Sequence, residues 1–422
     1  MLIDANDGRQ QRGLQLAATK RIVRKGLSTF TVPSQTDNTV KYTVVQEASD
    51  KFVCSCPDFE LTGSTCKHGY ALEFYLRRET TPDGTVVETR AARVTYAQQW
   101  PAYNKAQTTE KSQFCTLLRD LVADVPTPEY KRGRPSLPLG DMIFSAAFKV
   151  YSTVSGRRFM TDLKTAADAG LISALPHYNS IFNILDRESL TPILQELITR
   201  SALPLKALET DFAVDSTGFG TQNFYRHFSA KYGRTMEKRH FLKVHAMIGT
   251  RTNVVTSAVV TDEHTGDSPM LAPLVTETAE NFNVERVSAD KAYASSFNFE
   301  LIESFGAKPF VPFRNVTVYG KSAIWNRLFH FFQFQKEEFL TQYHKRSNIE
   351  STFSALKRKF GDTIRSKSPV AQRNEALLKV LCHNLVCVIH EITASGSTAT
   401  FPALSAVCTT KAAPAQQVLT LE

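Results

Sequence analysis

Four residue types that could act together on a phosphate stand in one short stretch, Tyr343-His-Lys-Arg346-Ser-Asn-Ile-Glu350, with Lys357 following. Read as one helix at about 100° per residue, these four side chains fall within about 60° of one face. The neighbouring stripe holds Ile349, Phe353, Leu356 and Phe360, an apolar seam that would bury the helix. A carboxylate flanked by an aromatic hydroxyl, an arginine and a lysine suits an acid that binds metal and must also grip phosphate. An amphipathic helix with ordinary surface charges is the plainer alternative. Two earlier acids could join Glu350. Asp215 closes the apolar run Phe212-Ala-Val, and Gly218 soon after it would let the chain turn away, leaving the acid at a strand tip. Asp211 shares that strand face and is its rival. Asp290 ends a second such run, Val287-Ser-Ala. Taken singly, an aspartate at a strand end is ordinarily a turn or helix-cap residue.

A second constellation is made of soft ligands. Cys54-Ser-Cys56 and Cys66-Lys-His68 bring three thiols and an imidazole within fifteen residues, on the pattern C-x-C-x9-C-x-H. Cys54 and Cys56 would project from a strand end, and Cys66 and His68 from a helix start. A closed set of four S/N ligands is the structural type of Zn²⁺ site. His383, Cys387 and His390 also share a helical face. They sit among Leu381, Leu385, Val386, Val388 and Ile389, which makes a packed core helix the reading there.

The elements that would position these residues follow from periodicity and turn chemistry. After about eleven polar residues expected to lack order come three β-prone runs, Ser28–Val32, Val40–Val45 and Lys51–Cys54. A helix of about Lys67–Arg78 completes a small ββα-type unit over 12–80. Residues 81–110, with Pro82 and Gly84, read as a linker, and 111–205 as a helical region broken by prolines. Strand-like runs then begin at Asp211–Asp215 and continue at Phe241–Ile248, Val254–Thr261, Val284–Ala289 and Pro309–Pro312. Helices fit at about 269–280 and 296–305, and a long helical stretch covers 324–360. A final apolar helix spans about 371–392, before an Ala/Thr/Ser-rich tail, 393–422, read as flexible. The fold class is α/β: three early strands, then alternating helices and strands, then a helix bearing the last acid.

Composition narrows the partner. The net charge is +9 and the excess is clustered: residues 225–243 carry six Lys/Arg against one acid, and 341–367 seven against two. Clustered positive charge favours a polyanion, usually nucleic acid. There is no run of about 18 apolar residues for a membrane span, nor the apolar stretch of a signal peptide, so a cytoplasmic protein without a membrane partner is expected. Seven cysteines, an odd number, then read as thiols or metal ligands rather than a disulfide framework. Lys131-Arg132-Gly133-Arg134-Pro135 matches the core of an AT-hook, in which Arg132 and Arg134 would flank a minor groove; a basic linker is an equal reading. Lys243 and His245 share a strand face and could approach DNA or form a buried or solvated pair.

The spacing Y-x2-R-x3-E-x6-K resembles, at all four positions, the signature of insertion-sequence DDE transposases. Asp215 in its Ser/Thr-rich context, and Asp290 with Tyr293 three residues on, are similar to that family's first and second acids. The resemblance implies a ribonuclease-H-like catalytic domain over 206–392, in which Asp215, Asp290 and Glu350 hold two Mg²⁺, with Mn²⁺ as a substitute. It implies strand cleavage and strand transfer at transposon ends, with Tyr343, Arg346 and Lys357 gripping double-stranded DNA, and at least a homodimer to pair two ends. It also implies that 111–205 binds terminal repeats. Only 59 residues separate Asp290 from Glu350, so the large β-rich insertion of some relatives has no room. The Cys/His pattern, with Val32-Pro33-Ser34 and Val40-Lys-Tyr-Thr-Val before it, resembles the SWIM zinc finger, implying one structural Zn²⁺ on Cys54, Cys56, Cys66 and His68. The rival function is a domesticated DNA-binding regulator using the finger and helical region without catalysis. The presence of all three acids argues against it.

Overall fold

The computed structural model describes residues 8–26, 28–37, 39–48, 51–76, 79–80, 86–87, 100–129, 135–221, 240–313 and 322–403. Arg132 and Arg134, most of the basic stretch 225–243, and the tail beyond 403 lie outside them. The chain divides into two compact units, Met1–Ala97 and Gln98–Glu422.

The smaller unit opens with helix α1 (Gly8–Thr19), where the sequence reading expected a disordered start. Four antiparallel strands follow in sequential order, β1 (Val23–Arg24), β2 (Thr29–Pro33), β3 (Lys41–Ala48) and β4 (Lys51–Cys54). Helices α2 (Pro57–Thr62) and α3 (Lys67–Leu76) come next, then a two-stranded pair, β5 (Glu79–Thr80) and β6 (Val86–Val87). Beyond the three strand runs and one helix expected of a ββα-type unit, β1, β5 and β6 and the helices α1 and α2 are additional. Helix α1 packs closely on α3, and Gly13 is what permits it. A Cβ there would come within 2.5 Å of the Tyr70 Cβ, against atoms that cannot move aside. The core is small: Leu16, Phe30, Val32, Val44, Phe52 and Leu72 bury together with Cys54, Cys56 and Cys66.

The larger unit begins with α4 (Trp100–Val122), whose start lies inside the stretch read as a linker. Then come α5 (Leu139–Ser152), α6 (Gly156–Asp168), α7 (Tyr178–Leu185) and α8 (Leu190–Ala202). Strands β7 (Asp211–Gly220), β8 (Phe241–Gly249) and β9 (Val255–Thr261) lead through α9 (Leu271–Asn281), β10 (Arg286–Ala289) and α10 (Ser296–Ser304) to β11 (Lys308–Phe310). The sheet order is β11-β10-β7-β8-β9. Strands β10 and β11 run parallel with β7, while β8 is antiparallel to both β7 and β9. Central β7 buries Phe212, Ala213 and Val214 completely, as a strand covered on both faces should.

The helical stretch expected over 324–360 is broken into α11 (Ala323–Phe334), α12 (Lys336–Tyr343), a 3₁₀ turn at His344–Arg346, and α13 (Ser347–Phe360). Gln335 leaves helical geometry (φ −122°, ψ 44°), which ends α11. Last comes α14 (Pro369–Ser395). By length and hydropathy it could cross a bilayer, but it is a core helix. It packs against α4, α5, α7, α8 and β9. Asn384, fully buried, bonds the backbone of Val255 on both sides and the Ile198 carbonyl, tying β9 to α8. His383 and Cys387 are buried core residues of α14, as the sequence suggested. The helices of 111–205 thus share one hydrophobic core with the sheet and α14 rather than a core of their own.

Candidate active site and metal cluster

Three acids from three elements meet at one end of the parallel strands. Asp215 lies midway along β7, which runs on to Gly220 and pairs Gly218 with Lys243 and Phe219 with Leu242. The sequence reading of a strand tip turned by Gly218 is therefore corrected. Ladder bonds to β8 outweigh the turn character of Ser-Thr-Gly. What stops at this level is β10: its last pair is Ala289 with Val214, so Asp290 emerges beside Asp215 as β10 ends. There Asp290 caps a short 3₁₀ turn, its Oδ1 accepting from the Lys291 N–H at 2.7 Å. Glu350 is in the first turn of α13 and is exposed.

Helix α13 is seated by its apolar seam, since Ile349, Phe353, Leu356 and Phe360 are all buried. Asn348 adds a fixed point, donating to the Thr250 carbonyl at 2.7 Å. Arg346 then reaches back from the 3₁₀ turn. One guanidinium nitrogen donates to Asp215 Oδ2 at 2.7 Å and another to Glu350 Oε1 at 2.6 Å. Tyr343 belongs to α12, not to the helix of Glu350, so the four-residue face spans two helices and a turn. Its ring still lies 5.8 Å from the Arg346 guanidinium carbon. Lys357 extends over the Phe219 ring, 5.5 Å from its centroid. Burial pulls the Lys357 ammonium below its ordinary value.

Electrostatics set Asp215 apart. Burial raises its carboxyl above the usual range and the Asp290 and Glu350 carboxylates push the same way, against the Ser216 N–H and Arg346. Its rival Asp211 is differently placed, with its carboxylate paired to Arg286 and Lys345. The site atoms are hard oxygens of three carboxylates set against the single charge of Arg346, a set that fits Mg²⁺ or Mn²⁺ rather than a thiol-loving ion.

Two side chains behind the acids went unremarked or unassigned in the sequence. Asp267 follows β9 in a loop, and nothing local marks it. It accepts from Ser216 Oγ at 2.9 Å and from Lys243 Nζ at 2.7 Å, and lies 3.5 Å from His245 Nδ1. Lys243 also donates to the Thr265 carbonyl at 2.9 Å, so its ammonium is engaged within the chain. His245 is fully buried, and burial lowers its proton affinity. Tyr293, three residues past Asp290, is 1% exposed, and its hydroxyl has no hydrogen-bond partner among the described residues. Burial first, then the Asp215, Asp267 and Asp290 carboxylates, push its pKa well up. A buried hydroxyl without a partner costs about 1–3 kcal/mol, so this one sits among carboxylates at an expense.

In the smaller unit, strand β4 delivers Cys54, the turn after it Cys56, and the start of α3 Cys66 and His68. All four are buried, and their ligand atoms lie within 4.8 Å of one another. His68 presents Nδ1, 3.9 Å from Cys54 Sγ and 3.8 Å from Cys66 Sγ. Hydrogen bonding between the two thiols draws Cys66 down to about 3 and holds Cys54 up. Three sulfurs and one imidazole converging in this way fit one tetrahedral Zn²⁺.

Residues 206–385 match the family model of the transposase DDE domain, and residues 42–77 that of the SWIM zinc finger. No curated protein and no solved structure matches the chain. The chain thus carries a DDE transposase domain. An N-terminal SWIM zinc finger accompanies it, with the Cys₃His cluster inside the matched residues.

Proposed function

We propose that this chain cleaves DNA strands at the ends of a mobile element and joins them to a target, with Asp215, Asp290 and Glu350 holding two Mg²⁺. The observation that carries the reading is the convergence of three carboxylates from β7, the end of β10 and α13, with Arg346 forked between two of them. When bound, the ions supply an activated water or 3′-hydroxyl and neutralise charge at the leaving oxygen of an in-line displacement. Arg346, released from the carboxylates, is suited to hold a phosphate through two parallel hydrogen bonds. Lys357 stands about two helical turns beyond Glu350, too far to share its metal, and serves the next phosphates. Tyr343 stacks on or hydrogen-bonds a terminal nucleotide.

The sheet order, with β10 and β11 parallel to central β7 on one side and the antiparallel meander β7-β8-β9 on the other, supports a ribonuclease-H-like fold for 206–392. Paired ends call for a homodimer, and Arg132 and Arg134 are offered as minor-groove contacts. A cytoplasmic location, on the nucleoid in a prokaryotic cell, goes with this reading. The test is Mg²⁺-dependent nicking of a duplex carrying the element's terminal repeat. Asp215→Asn, Asp290→Asn and Glu350→Gln should each lower nicking by about a thousandfold or more while leaving end binding intact, since each removes a ligand and no core volume. Wild-type nicking by any one of them removes that residue from the set. End binding without any nicking by the wild type would favour the regulator reading.

A further inference from the structure

A cavity of about 320 Å³ opens in the larger unit, and none of the three acids lines it. Its walls come from the end of α5, the start of α6, α7, the end of α13 and α14. That volume is at the lower end of small-ligand sites, which run from about 300 to 1,000 Å³.

Its charge is unbalanced. Lys149, Arg365 and Lys379 line it against one carboxylate, Glu375. That carboxylate is already engaged, accepting the backbone N–H groups of Arg365 and Ser366 at 2.8–3.1 Å. Lys379 is held by the Gly361 and Thr363 carbonyls, and Arg365 by the Thr153 carbonyl. Lys149 has no hydrogen bond or ion pair among the described residues. Burial and the neighbouring Arg365 disfavour its charge, against the pull of the Glu375 carboxylate. The first turn of α6 also faces the space, and Ser155 makes no side-chain cap to its N–H groups. A cation, an uncapped helix start and a guanidinium around one opening are complementary to a phosphate.

The rest of the wall is apolar, and one ring stands out. Phe182 is 43% exposed although it lines the cavity. It lies against Gly156, where a Cβ would come within 2.8 Å of the ring. Glycine there lets the outer edge of the ring come down onto the helix start, beside the cations. Arg157, Arg158 and Lys367, close in the chain to Gly156 and Ser366, are exposed as well.

We propose that this cavity binds a nucleotide, its base stacked on Phe182 and its phosphate against Lys149, Arg365 and the first turn of α6. The nucleotide is either free or an unpaired residue of a bound DNA strand; the second source rests on the transposase reading and the first does not.

Two fluorescent probes separate the cases with the full-length chain: 2-aminopurine deoxyribonucleoside 5′-monophosphate, and a duplex ending in one unpaired 2-aminopurine nucleotide. Stacking on Phe182 should quench the probe saturably. Phe182→Ala, at an exposed position, and Lys149→Gln should each weaken that binding about tenfold or more, while Phe182→Tyr retains it. Quenching of both probes assigns a free-nucleotide site; quenching of the duplex alone assigns a strand-end site. Glu350→Gln should quench like wild type even where it cannot nick, so failure of the catalytic reading leaves this result standing. The proposal is overturned if neither probe is quenched, or if Phe182→Ala and Lys149→Gln bind as wild type does.

Discussion

The two ligand clusters of this chain are assembled in opposite ways. The Cys₃His set spans fifteen residues of one small unit, and its ligand atoms already converge within 4.8 Å. The acids Asp215, Asp290 and Glu350 come from three distant elements, and Arg346 stands between two of them. Thiols can share hydrogen bonds and protons, so they converge without a counter-charge. Like-charged carboxylates repel, and a cation must separate them until metal replaces it. The first cluster is built to keep its ion as part of the fold. On the proposed reading, the second exchanges a guanidinium for divalent ions.

The largest effect that could break this contrast is at the zinc cluster. Cys54→Ser or His68→Ala should release the bound zinc and unfold the Met1–Ala97 unit. Its core is small, and structural zinc is worth about 10–16 kcal/mol in such modules. Metal analysis and limited proteolysis read both outcomes, and the larger unit should keep its own unfolding transition. A variant that loses zinc and stays folded would make the ion an accessory. If wild-type protein purified without chelator held no zinc, the SWIM reading of the cluster itself would fail.

At the acids, Tyr293→Phe sharpens the contrast. If the Tyr293 hydroxyl supports the carboxylates once metal is present, its removal should weaken Mn²⁺ binding about 10- to 100-fold by electron paramagnetic resonance. Thermal stability should hardly fall, because the ring and its packing remain. Unchanged Mn²⁺ affinity would leave the hydroxyl a packing passenger.

A further effect concerns a buried ammonium held by the Gly361 and Thr363 carbonyls over the Phe219 ring. Burial pulls Lys379 from 10.5 down to about 8. Below pH 8 it is charged in both states and the burial cost is fully felt. Between pH 8 and 10.5 the folded state has released the proton while the unfolded state keeps it, so stability rises with pH. Wild type should gain up to about 3 kcal/mol relative to Lys379→Met across that window in urea unfolding. Parallel curves for the two proteins would show that the ammonium is solvated.

Periodicity made parts of this visible in advance. The seam Ile349, Phe353, Leu356 and Phe360, the strands from Asp211 onward, and α9, α10 and α14 are local, repeating patterns. The Cys/His cluster was legible because its ligands are neighbours in the chain. What escaped depends on partners far away. Strand β7 continues past Asp215 because β8 supplies ladder bonds that Ser-Thr-Gly does not advertise. Helix α1 is polar and Gln-rich, and its place is set by Gly13 against α3. The prolines that seemed to fence off 111–205 only separate helices, since the core linking them to α14 is made of residues more than a hundred positions apart. Asp267 lies in a loop whose meaning comes entirely from Ser216 and Lys243.

The central claim is that the three acids hold divalent metal, and iron can report on that directly. Fe²⁺ loaded into the full-length chain and treated with ascorbate and peroxide should cut the backbone near residues 215, 290 and 350. Mg²⁺ should suppress all three cuts together, and Glu350→Gln should weaken all three. Cleavage elsewhere, or cuts at these positions indifferent to Mg²⁺ and to Glu350→Gln, would contradict the account.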